Sequence, residues 1–217
     1  MSLYQPIVFP HVADFVPPGV SGNVRIEHFE VTQKEAEWTQ LRAAVNRRGD
    51  EFVPAGKYAR LIVDGSIMMS DTPMEQRTNR QAIRQARGHV VIAGLGLGMI
   101  LHPMASKTEV TKITVIELSS DVIKLVAPYL PSKVEVVQAD IFEYRPAKGT
   151  KFDAVYFDIW PSISGDNLDE MSKLHRRWAH YKTKEAWMNS WCRDELLEQK
   201  ARRRRHGNPW DRALGVR

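Results

Sequence analysis

The chain has 217 residues, enough for one domain with a sizeable core plus an appendage but too few for two full-sized domains. Hydrophobic residues make up 43% and charged residues 26%, which excludes a disordered or collagen-like chain, and no apolar run approaches the ~18 residues of a membrane-spanning helix. The net charge of +5 is unevenly placed: residues 171–217 carry 13 Lys and Arg against 5 acids, whereas residues 1–170 are net −3.

The first stretch, with Pro6, Pro10, Pro17, Pro18 and Gly19, reads as an extended arm or irregular lead-in. It lacks a basic cluster followed by an apolar run and a small-residue cleavage site, so a cytoplasmic location is expected. Val24, Ile26, Phe29 and Val31 suit a strand. Thr32 then caps a helix to Arg48, with Ala36, Leu41, Ala44 and Val45 at helical spacing. Tyr58 to Ser70 reads as a hairpin turning at Asp64-Gly65. Thr72-Pro73-Met74-Glu75 has capping-box spacing and opens a helix to about Arg87. Asp71, just before it, reads as a helix cap.

From His89 onward, short buried-strand runs alternate with helical stretches: Val90 to Ala93, then Met99 to Ala105; Ile113 to Ile116, then Ser120 to Leu130; Val134 to Val137; Ala154 to Phe157. Such alternation predicts βαβ units, and hence an α/β fold with a Rossmann-like parallel sheet flanked by helices. After Pro161 no further run rich in Val, Ile or Phe follows. Residues 167–204 therefore read as charged helices carrying Trp178, Trp187 and Trp191, with Arg202 to Arg217 as a looser tail and the sheet abbreviated after its fourth strand. The edge of that strand then needs a cover from the N-terminal strands, the C-terminal helices or a second subunit. The expected division is 1–70, an N-terminal extension with strand, helix and hairpin; 71–166, the Rossmann-like core; and 167–217, a helical basic segment.

Val90 to Ala93 runs into Gly94-Leu95-Gly96-Leu97-Gly98, three glycines at alternate positions between a buried strand and a helix. Glycine there permits a sharp turn and lets a ligand approach where a Cβ would collide. Glu117, 19 residues beyond Gly98 at the end of the second strand, suits a ribose, its carboxylate accepting from both hydroxyls. Asp140 and Ile141, after the third strand, suit an adenine amino group and ring face, although a turn-capping role for Asp140 is an equal alternative. Met99 is bulky where a dinucleotide fingerprint wants a small residue, which disfavours nicotinamide and flavin cofactors.

Asp158, at the end of the fourth strand, and Trp160 beside it read as an acceptor site: a carboxylate for an amine and an indole wall. The competing reading has Asp158 capping a turn and Trp160 packing beneath the C-terminal helices. Glu75 either completes the capping box with Thr72 or faces the reacting group. Cys192, the one cysteine, excludes an intrachain disulfide and reads as an inert thiol on a polar helix. His89, His102, His175 and His180 lack metal-ligand spacing, so no metal is expected. Arg202 to Arg205 admit a nucleic-acid partner, the alternative being a solvated helix end.

These motifs resemble the class I S-adenosylmethionine-dependent methyltransferases, and among them the spermidine-synthase-like branch, over about Tyr58 to Pro161. Gly94, Gly96 and Gly98 match the first motif, Glu117 the ribose-binding acid, Asp140 the adenine contact, and Phe152 to Asp158 the fourth strand. The resemblance implies S-adenosylmethionine as cofactor and methyl transfer to a small-molecule acceptor, an amine in the reading that uses Asp158 and Glu75, without a membrane and with a homodimer as one assembly. Polyamine synthases place an Asp-Glu pair and a Tyr after the hairpin and a second Asp after the fourth strand. Here only Glu75 and Asp158 correspond, so aminopropyl transfer from decarboxylated S-adenosylmethionine is the second reading. A non-catalytic binding protein on the same core is a third, and cleavage of the donor itself stays open.

Overall fold

The computed structural model describes residues 7–46 and 52–206, the side chains of 203–206 excepted. It contains two sheets. The first is antiparallel, in the order β1-β2-β3-β4, built from β1 (Gly19–Ser21), β2 (Val24–Val31), β3 (Gly56–Val63) and β4 (Ser66–Ser70). Asp64 and Gly65 take φ of 50° and 77°, so the hairpin expected at Asp64-Gly65 turns through two left-handed residues, as a two-residue connection requires. β2 pairs with β3 from Val24↔Val63 to Val31↔Gly56, joining the expected strand and hairpin into one sheet. β1 lies in the stretch read as irregular; three residues are too few for a periodic signal.

Between β2 and β3 lies α1 (Gln33–Asn46). It buries Ala36 and Ala43, while Leu41 and Val45, expected on its core face, are exposed.

The second sheet is parallel throughout, in the order β7-β6-β5-β8-β9: β5 (Gly88–Ala93), β6 (Val110–Glu117), β7 (Val134–Gln138), β8 (Phe152–Phe157) and β9 (Lys182–Ser190). Its helical connections are α2 (Pro73–Gln85), leading into β5, then α3 (Leu101–Ala105), α4 (Ser120–Val126) and α5 (Asn167–Trp178), with α6 (Arg193–His206) following β9. Along β5, Val90 and Ile92 join one apolar cluster while Val91 and Ala93 join the other, so the two-residue period of the strand feeds a core on each face. β5 is flanked by β6 on one side and β8 on the other, so the chain reverses direction across the sheet there. The crevice at the carboxyl ends of these strands is where open α/β sheets bind ligands.

β9 corrects the expectation of a sheet ending at its fourth strand and of an all-helical C-terminal segment. It pairs with β8 from Phe152↔Lys182 to Phe157↔Ser190 and covers the exposed edge. As an edge strand it is covered by a neighbour on one side only, so Lys182, Lys184 and Glu185 suffice at its start and no run of Val, Ile or Phe is needed; such charges also discourage further pairing. α6 continues through His206, so Arg202 to His206 is helix rather than loose tail; residues 207–217 lie outside the described residues. Cys192 stands at the β9–α6 turn with φ 53°, not on a helix.

At the start of α2, Thr72 occupies the N-cap position but its hydroxyl pairs with Ser70 Oγ at 3.0 Å instead of capping. Nor does Asp71 cap. Fully buried, its carboxylate accepts the Val12 N–H at 2.8 Å and the Ala59 N–H at 2.7 Å, tying the single helical turn Val12–Asp14 to β3. No helix among the described residues is long and apolar enough to cross a membrane.

Candidate functional site

A cavity of about 470 Å³ opens at the carboxyl ends of β5, β6, β7 and β8 and is roofed by Met68 and Met69 of β4. Gly94 and Gly96, Glu117, Asp140 and Ile141, and Asp158 and Trp160 all line it, together with Glu75. Residues separated by up to 85 positions in sequence thus face one space. Gly98 does not. It packs away from the cavity, where a Cβ would press on Leu130 and Val126.

Gly94 (φ 95°) and Gly96 (φ 52°) are in left-handed backbone that glycine adopts without cost. A Cβ on Gly94 would strike the Asp158 carbonyl oxygen, because Asp158 N–H donates to Ala93 O at 2.8 Å and draws the ends of β5 and β8 together. A Cβ on Gly96 would strike the Met69 thioether.

Glu117 anchors the turn from β6: its Oε2 accepts from Leu95 N at 2.8 Å and its Oε1 from Ser119 N at 2.8 Å. Each carboxylate oxygen has a second lone pair, so two hydroxyl donors can still be accepted. Asp140 Oδ1 accepts from Phe142 N at 2.8 Å, the turn-capping role read from the sequence, and Oδ2 has no partner among the described residues. Capping orients the side chain without consuming it.

Glu75 and Asp158 line the same cavity, and the charge of Glu75 is felt at Asp158. Among the described residues no hydrogen bond joins the Glu75 side chain to Thr72, so the expected capping box does not form. Burial lifts Glu75 to a pKa of about 7. Asp158 is raised to about 7, first by burial and then by the charge of Glu75. Two like charges in a poorly solvated space resist ionising together. Trp160 lines the cavity and also packs in the core beneath α5, its Nε1 donating to Glu170 Oε2 at 3.0 Å.

The sequence reading missed several cavity residues. Asn79 lies four residues after Glu75 on the same face of α2. Its Nδ2 donates to Glu75 O at 3.0 Å, and its Oδ1 accepts from Tyr156 Oη at 3.1 Å. Helical spacing from Glu75 was the available signal. Trp191 follows β9 and its Nε1 donates to Thr78 Oγ1 at 3.1 Å; without β9 nothing directs attention to it. Among the described residues no Lys, Arg or His lines the cavity. Burial pushes the Cys192 thiol up to about 12, which removes it as a nucleophile. Among the described residues no cluster of His, Cys, Asp and Glu could hold a metal ion.

No protein-family model matches the chain, and no curated protein is similar to it in sequence. Solved structures similar to parts of it include DhpI in a complex with SAM and HEP, 16% identical over 73% of this chain and 64% of that one (TM-score 0.42). The N-methyltransferase NodS from Bradyrhizobium japonicum WM9 is 16% identical over 52% and 65% (TM-score 0.42). SAM-bound CalS10, an amino pentose methyltransferase from Micromonospora echinaspora, is 20% identical over 54% and 49% (TM-score 0.39). The matched region thus spans about half to two thirds of each of these proteins.

Proposed function

We propose that this cleft binds S-adenosylmethionine and that the chain transfers its methyl group to a small-molecule acceptor. One observation carries the reading: the bare glycine backbone after β5, the carboxylate closing β6 and the carboxylate beyond β7 line a single cavity, with a second pair of carboxylates beside them. The donor set suits the cofactor. Glu117 retains acceptor capacity for two ribose hydroxyls, Asp140 Oδ2 is available to an adenine amino group, and Ile141 offers an apolar face.

The bound cofactor would supply an activated methyl group on a positively charged sulfur with a neutral leaving group. The chain then needs to provide in-line approach and a dry, oriented pocket rather than covalent chemistry. Trp160 and Trp191 supply apolar wall, and Glu75 and Asp158 stand where an amine acceptor could pass its proton to a carboxylate. A lining that among the described residues has four carboxylates and no cationic side chain favours a neutral or amine acceptor over a phosphate-bearing one.

Calorimetry with S-adenosylmethionine, S-adenosylhomocysteine, decarboxylated S-adenosylmethionine and NAD tests the reading. Saturable binding of the first two, reduced at least tenfold by Glu117→Ala, is expected. Preference for the decarboxylated form would replace methyl transfer with aminopropyl transfer, and binding of none of the four would remove the cofactor assignment.

A further inference from the structure

The amides of the glycine turn can be accounted for one by one. Gly94 N–H donates to Ile116 O, Leu95 N–H to Glu117 Oε2, and Gly98 N–H to Leu95 O. Leu97 N–H is directed at the Met69 Sδ, 3.4 Å away, and Gly96 N–H has no acceptor among the described residues. A thioether is a weak acceptor, far poorer than a carboxylate oxygen. Met69 reaches the turn from β4, lies against Gly96, and lines the cavity, whereas Leu97 behind it is fully buried. The sulfur therefore stands between the cavity and the Leu97 amide.

The proposed donor has one anionic group, the carboxylate of its amino-acid tail. Among the described residues the cavity lining has no Lys, Arg or His to receive it, which leaves neutral donors: the backbone N–H groups of the turn and the side chains of Ser119 and Asn79. We infer that Met69 is a specificity-determining placeholder: its thioether occupies the Leu97 amide and yields it to the donor's tail carboxylate, so that Met69 sets how much the tail contributes to binding. This rests on the cofactor reading above and goes beyond it by assigning a role to a residue outside the recognised motifs.

Two probes separate the tail from the rest of the donor: S-adenosylhomocysteine carries it and 5′-methylthioadenosine lacks it. In Met69→Leu the volume is kept and the competing sulfur is lost, which leaves the Leu97 N–H unsatisfied until the carboxylate arrives. Calorimetry should then show S-adenosylhomocysteine binding roughly three- to tenfold more tightly than to the parent protein, the equivalent of one neutral hydrogen bond, with 5′-methylthioadenosine unchanged within about twofold. Met69→Ala should move the ratio of the two affinities in the same direction even if packing losses weaken both. A ratio unchanged in both variants would reduce Met69 to a packing residue and overturn the inference. Failure of the parent protein to bind either probe would instead remove the cofactor reading, and the inference with it.

Discussion

At the scale of single residues, burial holds two carboxyl groups of the cavity near neutrality. Glu75 and Asp158 are both raised to about 7, from ordinary values of 4.5 and 3.8. If a carboxylate of this pair takes the acceptor's proton, turnover should rise with pH through about 7. Asp158→Asn should lower it on the order of a hundredfold and flatten that limb. A parent profile flat from pH 6 to 8 would exclude the pair from the chemistry. Stability should respond with the opposite sign. The native state holds these protons more tightly than the unfolded chain does, so the pair's stabilising contribution is complete below about pH 4 and is lost as pH rises through about 7. Glu75→Gln should reduce this slope, leaving the part that burial of Asp158 supplies, and urea melts at pH 6 and pH 8 would show it as a smaller difference between the two.

Among the elements, a single buried carboxylate ties the N-terminal helical turn to β3. Asp71 gathers the N–H groups of Val12 and Ala59 from two different segments, immediately before α2 delivers Glu75 to the cavity. Asp71→Ala would strand two buried donors and should cost about 2–4 kcal/mol in chemical denaturation. Asp71→Asn, which can accept from one of them, should fall between; a loss under about 0.5 kcal/mol in the alanine variant would show that water replaces the carboxylate. The same element scale explains what was legible in the sequence. β5, β6 and β8 have neighbours on both sides and carry dense apolar runs, which local pattern reading finds; β7, the other edge strand, is still marked by Val134, Val136 and Val137. β9 sits at an edge, opens with Lys182-Thr183-Lys184-Glu185, and has no such run to find.

For the whole molecule, the parallel sheet separates two apolar clusters, and β5 and β8 contribute alternate residues to both. Trp178, fully buried at the end of α5, anchors the second cluster through ring contacts with Tyr144, Phe152, Phe157 and Tyr181. Trp178→Ala should lose about 3–5 kcal/mol. Because the strands are shared, far-ultraviolet dichroism and fluorescence should still report one coincident transition, and separated midpoints would mean the clusters unfold independently. The sequence by itself determined the ordered strands, the glycine turn, and the carboxylates at Glu117, Asp140 and Asp158, since side-chain period and turn chemistry act over a few neighbouring residues. Tertiary structure alone decided that Glu75 shares a cavity with Asp158, that Met69 covers Leu97, and that β9 closes the sheet. Those arrangements join segments 28 to 83 residues apart, or rest on a neighbour's edge, and no local pattern carries that information.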